Sequence, residues 1–141
     1  MAACTFFGHR DCSSSIKGKL HKEIERLICN HGVETFYIGT HGNYDRMAYA
    51  ALVELRYRYS HIKVYRVLAY MPKPDDTDTF DTIVPEGIES AHPRFAIIKR
   101  NHWMIDHSDY VIAYVTHTFG GAYQALERAK RKKITVISVV K

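Results

Sequence analysis

The sequence of 141 residues lacks the features of secreted, membrane-spanning and disulfide-stapled proteins. No apolar run approaches the ~20 residues that cross a membrane, and the opening MAACTFFGHR does not have a signal-peptide layout. The three cysteines are an odd number without C-x-x-C spacing, which excludes a disulfide framework and favours reduced thiols. No repeat or domain boundary is visible. We therefore expect a single cytoplasmic domain over residues 1–141, with no membrane partner.

The sequence also has no recognisable nucleic-acid-binding module, although its charge is basic. Lys and Arg number 20 against 15 Asp and Glu, a formal net charge of +5. Much of this charge lies in the run RAKRKK at residues 128–133, where a predicted helix ends and cations favour the helix dipole. Because no aromatic stacking platform accompanies the run, the sequence favours a solvated helix end and argues against nucleic acid as a partner.

Short apolar runs alternate with helical patterns along the whole chain. Residues 71–92, rich in Pro and Asp and without periodicity, predict a long surface loop. The alternation predicts an α/β fold, a three-layer α/β/α Rossmann-like sandwich around a mostly parallel sheet of about five strands. The predicted strands are 4–8, 33–39, 62–69, 110–115 and 134–140, and the predicted helices are 13–30, 45–60, 93–107 and 120–133.

The stretch SDYVIAYVTHTFGGAYQALE at residues 108–127 predicts a strand that passes through a glycine pair into a helix. Free backbone N–H groups and the helix dipole make such a helix start favourable for phosphate or carboxylate. In parallel sheets the ligand lies beyond the carboxyl ends of the strands, where the strand order reverses. The predicted ligand-binding residues on the corresponding loops are Gly8, His9, Arg10, Gly39, Thr40, His41, Asn43, Asp45, Thr116, Gly120, Gly121 and Tyr123.

Several of these residues have a structural alternative. Arg10 suits a phosphate through its bidentate fork, but a surface salt bridge would also explain it. Asp45 fits a ribose contact and a helix N-cap equally well. His9, His41 and His117 follow different strands without tight ligand spacing, so no metal site and no cofactor are predicted.

Four segments occur in the order and spacing of one family: FFGHR, IGTHGNYDRMA, KRNHWMIDHSDYVIAYV and GGAYQALERA. On these the chain resembles the SLOG superfamily, a Rossmann-like group that includes LOG-type phosphoribohydrolases, DprA/Smf proteins and a YpsA-like branch. The resemblance looks closest to the YpsA-like branch and implies a nucleotide-type pocket.

The LOG-type enzymes carry a Pro-Gly-Gly-x-Gly-Thr-x-x-Glu motif and an upstream arginine. The resemblance implies that Arg100 and Glu127 would be the catalytic pair of an N-glycosidase, with Gly120 and Gly121 as the leading glycines. The motif is incomplete, which favours binding over catalysis. Its departures are Phe119 for the proline, Tyr123 for the third glycine and Gln124 for the threonine.

Three functions therefore stay open. The leading hypothesis is a module that binds a nucleotide or nucleotide-derived small molecule, as a sensor or a sequestering protein. The second is a phosphoribohydrolase-like N-glycosidase, and the third is single-stranded DNA binding in the manner of DprA. A second apolar stripe on the helix over 45–60, formed by Tyr49, Val53 and Tyr57, predicts a homo-oligomer.

Overall fold

The computed structural model describes residues 2–40, 42–72 and 80–140. Ten strands and helices follow one another with short connections, and single-turn 3₁₀ helices at Ser14–Ile16 and Ile88–Ser90 lead towards the first and third α-helices. In chain order the elements are β1 (Ala2–Gly8), α1 (Lys17–His31), β2 (Val33–Ile38), α2 (Gly42–Arg58), β3 (Lys63–Val67), β4 (Asp81–Ile83), α3 (Pro93–Asp106), β5 (Tyr110–Tyr114), α4 (Gly121–Arg131) and β6 (Thr135–Ser138).

The strands form one six-stranded sheet in the order β4-β3-β2-β1-β5-β6, and every pair is parallel. Helices α1 and α2 pack on one face, and α3 and α4 pack on the other. The prediction of a three-layer α/β sandwich is confirmed. The sixth strand is β4, which lies inside the predicted loop at 71–92; residues 73–79 of that loop lie outside the described residues.

The central strands β1 and β5 are mostly apolar because helices cover both faces of the sheet. Residues 3–7 of β1 are all buried. Leu20, Ile24, Leu27 and Ile28 recur at helical spacing and form the buried face of α1. Tyr44 in α2 is fully buried, and its hydroxyl donates to the Ile112 carbonyl oxygen at 2.7 Å. This hydrogen bond ties α2 to the middle of the sheet.

The second apolar stripe on α2 has an explanation within the chain. Tyr49 and Val53 pack against the core, and the Tyr49 ring meets the Phe80 ring edge-on at 5.1 Å between centroids. Only Tyr57 is well exposed, at 88%. Since Phe80 covers much of the stripe, the stripe gives no support to the predicted homo-oligomer.

No helix of the described residues is long and apolar enough to span a membrane. The three cysteines are free, with Cys4 and Cys12 buried and Cys29 exposed. Burial, with a smaller effect from Asp11, raises the pKa of the Cys12 thiol to about 11. The thiol closest in sequence to the predicted site is therefore protonated at neutral pH and is a poor nucleophile.

Candidate functional site

A cavity of about 570 Å³ opens at the carboxyl ends of β1 and β5. The strand order reverses between these two strands, because β2 lies on one side of β1 and β5 on the other. This is the position at which ligands bind in open α/β sheets. The walls come from the ends of β1 and β2, from α3 and from the loop that enters α4. The volume falls within the range of about 300–1,000 Å³ that is typical of small-molecule sites.

Three stacked rings line one side of the cavity. The His9 and His117 rings lie 3.5 Å apart between centroids, and the His117 and Phe119 rings lie 4.0 Å apart, all nearly parallel. His9 follows β1 and is buried, whereas Phe119 precedes α4 and is 68% exposed. We call these three residues the ring column. Its outer face, on Phe119, is open to solvent and suits the stacking of a planar group.

Hydrogen bonds between the β1 and β5 loops hold the ring column in place. The backbone N–H of His9 donates to the Tyr114 carbonyl oxygen at 3.2 Å. The backbone N–H of Thr116 donates to Nε2 of His9 at 2.9 Å, and Nδ1 of His117 donates to the Phe119 carbonyl oxygen at 3.1 Å. Thr116 thus positions the histidine through its backbone and does not line the cavity.

The start of α2 fixes the β1 loop that carries Arg10. Gly42 has a φ of +86°, and a Cβ there would lie 2.5 Å from Cβ of Arg10, so only glycine fits. The Asn43 backbone N–H donates to the Arg10 carbonyl oxygen at 3.0 Å, and its side-chain amide donates to the Cys12 carbonyl oxygen at 2.6 Å. Arg10 is exposed and lines the cavity. Asn43 makes two hydrogen bonds that hold this loop, and it does not line the cavity.

Arg100, Asp45 and Gly39 form the floor of the cavity. Arg100 is 4% exposed, and its Nε donates to Oδ1 of Asn101 at 2.9 Å. A Cβ on Gly39 would lie 2.8 Å from Oδ2 of Asp45 and 3.4 Å from Nη1 of Arg100, so both charged groups close over this glycine. Burial lowers the pKa of Arg100, and the Asp45 carboxylate opposes that shift. The floor therefore holds a buried cation beside its counter-charge.

The first turn of α4 faces the cavity through Gly120 and Gly121. Gly120 has a φ of +92°, which favours glycine, and no side chain caps the helix. A Cβ at either position would meet open space, so the backbone here is accessible. The unpaired N–H groups of this turn are the predicted anion-binding feature.

The structure brings together eight of the predicted site residues and places five others outside the cavity walls. Around the cavity are Gly8, His9, Arg10, Gly39, Asp45, Arg100, Gly120 and Gly121. Within the described part of the chain, the walls do not include Thr40, Asn43, Thr116, Tyr123 or Glu127. His41 lies outside the described residues.

The catalytic pairing of Arg100 with Glu127 has no support in this geometry. Glu127 forms an ion pair with Lys130 at 3.7 Å, three residues along the same helix, and does not line the cavity. Arg100 lies in the cavity floor without it. An N-glycosidase needs a carboxylate at the reacting centre, and the described cavity walls offer only Asp11 and Asp45.

The ring column is the part of the site that the sequence analysis missed. His9 and His117 are separated by more than 100 residues, and His117 and Phe119 stack although they are only two residues apart. The signal was present, since each of these residues follows a strand of a parallel sheet. The described residues contain no group of three or more His, Cys, Asp or Glu that would hold a metal ion.

The basic run at 128–133 lies at the opposite end of the sheet from the cavity, because α4 runs back from the carboxyl to the amino ends of the strands. Arg128 and Lys132 converge on Asp106, at 3.1 and 2.6 Å. Lys130 pairs with Glu127. The run is partly neutralised by carboxylates, as expected for a solvated helix end.

Solved structures with a similar fold come from DNA processing protein A (DprA). The Streptococcus pneumoniae DprA structure aligns with a TM-score of 0.71 at 18% identity, over 98% of this chain and 50% of that chain. The Helicobacter pylori DprA structure aligns with a TM-score of 0.65 at 13% identity, over 97% of this chain and 64% of that one. The chain shares the fold of DprA. No protein-family model matches it, and the comparison with curated proteins also finds no match.

These comparisons correct the expectation that nucleic acid is not a partner. The H. pylori structure was solved for the single-stranded DNA binding mode of DprA, so a protein with this fold binds nucleic acid. The expectation also depended on the lack of an aromatic platform, and the structure contains a stack of three aromatic rings that ends on an exposed phenylalanine. The chain spans half of the S. pneumoniae structure and 64% of the H. pylori structure, so functions of the whole DprA protein are proposals for this chain.

Proposed function

We propose that the chain binds single-stranded DNA, with one base stacked on the exposed face of Phe119. The observation that carries the proposal is the ring column at the mouth of the cavity. Stacking of a base on an aromatic side chain contributes about 1–3 kcal/mol in single-strand-binding proteins and tolerates any base. A solvent-exposed phenylalanine backed by two histidine rings meets this requirement.

The charges around the column suit a sugar-phosphate backbone. Arg10 is exposed at the cavity wall, and the accessible N–H groups of α4 begin directly after Phe119. A phosphate beside the stacked base would meet the Arg10 guanidinium and the positive end of the helix dipole. Few cations lie here, and the 128–133 run is distant, so stacking carries more of this proposal than charge does.

A second candidate function is the capture of a free nucleotide, which the cavity volume of about 570 Å³ favours. Asp45 lines the floor, where a carboxylate suits ribose hydroxyls. The base would occupy the same face of Phe119. A sensor or sequestering role belongs to this candidate.

We infer from the four sequence segments that the chain is a single SLOG-type domain over residues 1–141, of the YpsA-like branch and cytoplasmic. The shared DprA fold supports the SLOG placement at the level of fold alone. Resistance of residues 1–141 to limited proteolysis as one fragment tests the single-domain part.

The stacking proposal is tested by comparing two phenylalanines of similar exposure. Phe119 is 68% exposed in the ring column, and Phe95 is 62% exposed on α3 outside the cavity walls. We expect Phe119→Ala to weaken the binding of a fluorescein-labelled twelve-residue oligothymidine about tenfold, since 1.4 kcal/mol of lost stacking is tenfold in affinity. The measurement is fluorescence anisotropy, with unfolding midpoints of both variants recorded alongside.

Phe95→Ala is the control and should bind as the wild type does. Equal losses in the two variants, or no loss in Phe119→Ala, would contradict the proposal. Competition with thymidine monophosphate in the same assay separates the two candidates. If thymidine monophosphate displaces the labelled oligothymidine at a concentration similar to that of unlabelled oligothymidine, counted in nucleotides, the result supports capture of a free nucleotide. If the unlabelled oligothymidine competes at a much lower concentration, the result supports binding of single-stranded DNA.

A further inference from the structure

The structure holds His9 in one protonation state. Its Nε2 accepts the Thr116 backbone N–H at 2.9 Å, and a ring nitrogen that accepts a hydrogen bond carries no proton. The ring stacks on His117 at 3.5 Å with only 15° between the planes. Its side chain is buried, with 7% of the residue exposed. Protonation of Nε2 would break the bond to Thr116 and place two N–H donors against each other.

We propose that His9 is a positioning residue that holds the ring column together only in its neutral form, so that mild acid releases the loop from Thr116 to Phe119. This inference rests on the proposed function, because the column is the surface on which the base would stack. Among residues 2–40, 42–72 and 80–140, no hydrogen bond joins Phe119 directly to β1, and its carbonyl oxygen accepts from His117. It is held through His117, and His117 is held through His9 and Thr116.

The groups around His9 come from four parts of the chain. His117 stacks on it from the β5 loop, and the Tyr114 ring meets it edge-on at 6.2 Å. Asp11 lies on its own loop, while Asp45 of α2 and Arg100 of α3 line the same cavity. Burial lowers the pKa of His9, His117 lowers it further, and Asp11 partly opposes both effects.

The sign of the pH effect follows from that direction. A histidine whose pKa is lower in the folded protein than its ordinary value of 6.5 stabilises the fold fully above that value. The contribution is lost as the pH falls towards the folded-state pKa. We therefore expect the column to be ordered at pH 7.5 and to loosen as the pH falls below 6.5.

The expected pH dependence of DNA affinity is opposite to the one that overall charge would produce. The chain has nine histidines, and protonation of histidines at acid pH makes its net charge more positive. A protein that attracted DNA by overall charge alone would bind more tightly as the pH falls. Release of the column predicts weaker binding instead, which makes the pH profile informative.

The first test needs no ligand. In ¹⁵N-labelled protein, the Thr116 amide resonance should shift with the titration of His9 below pH 6.5, and the protection factor of this amide against hydrogen exchange, corrected for the pH dependence of the intrinsic rate, should fall. In His9→Gln the amide oxygen takes the place of Nε2 as a non-titrating acceptor, and the Thr116 amide should stay constant over the same range. A Thr116 amide that does not respond in the wild type overturns the inference.

The second test is anisotropy with the same oligothymidine at pH 7.5 and 5.5. Since one pH unit below the free pKa changes a protonation equilibrium about tenfold, we expect wild-type affinity to fall up to tenfold. The affinity of His9→Gln should not fall between pH 7.5 and 5.5. The control is His61→Gln, at an exposed histidine whose ring meets the Tyr59 ring edge-on, and its affinity should fall as that of the wild type does.

The inference would be overturned if the wild type bound more tightly at pH 5.5 than at pH 7.5. It would also be overturned if the affinity of His9→Gln fell between these pH values as much as that of the wild type. Failure of DNA binding at both pH values would refute the proposed function alone, because the Thr116 titration still decides whether His9 holds the loop. Should His9→Gln not fold, the wild-type titration of Thr116 is sufficient by itself.

Discussion

Replacing Gly8 with alanine should lower the free energy of unfolding by about 3 kcal/mol, at the upper end of what overpacking a core costs. A Cβ on Gly8 would lie 2.3 to 2.7 Å from three ring atoms of Tyr44. The Tyr44 ring is fully buried, and its hydroxyl is bound to the Ile112 carbonyl oxygen. It has no room to retreat, so either α2 or the end of β1 must shift.

Chemical denaturation by urea, followed by circular dichroism, measures this effect. Gly18→Ala is the matched control, because a Cβ on Gly18 meets nothing within 4 Å and the residue lies in α1. That substitution should leave the protein as stable or stabilise it by up to ~1 kcal/mol. If Gly8→Ala matched the wild type in stability, the close contact with Tyr44 would be wrong.

Asp45→Asn should destabilise the protein by about 3 kcal/mol, because removal of one partner leaves a buried charge without compensation. Arg100 is the buried cation, its guanidinium and the Asp45 carboxylate both approach Gly39, and the carboxylate acts electrostatically on the guanidinium. The surviving asparagine oxygen still accepts a hydrogen bond, so the loss reports mainly the charge. Urea denaturation at neutral pH checks the expected value.

Asp11→Asn is the control for Asp45→Asn. Asp11 is exposed and lines the same cavity, so its substitution removes one negative charge from the cavity but leaves the counter-charge of Arg100 in place. Its stability should stay within about 0.5 kcal/mol of the wild type. Adding Arg100→Met to Asp45→Asn should restore part of the lost free energy of unfolding. A double variant less stable than Asp45→Asn alone would show that the loss of the charge pair does not cause the destabilisation.

The sheet was predictable because its central strands are buried on both faces. Residues 3–7 and 110–114 appear as unbroken apolar and β-branched or aromatic runs, and glycines or polar residues end them. Strand β4 was not predictable by the same reasoning. It has three residues, of which Asp81 and Thr82 are exposed, and only its pairing with β3 makes it a strand.

The position of the cavity was predictable from topology, but the side chains that line it were not. Parallel strands bring their carboxyl ends to one edge, so the loops that carry Arg10 and Gly120 had to meet there, together with the first turn of α2 that carries Asp45. Which side chain faces the cavity depends on contacts between these loops. Asn43 turns to the Cys12 carbonyl oxygen, and His117 turns back on His9, and no local spacing encodes either choice.

Stacking of a nucleic-acid base on Phe119, at the mouth of the cavity, would bring the base within cross-linking distance of the ring column. Ultraviolet cross-linking of a single-stranded oligonucleotide containing 5-iododeoxyuridine, followed by mass spectrometry of the digested protein, tests it most directly. We predict cross-links on His117 or Phe119, and their loss in Phe119→Ala. Cross-links confined to the basic run at 128–133 would contradict the account.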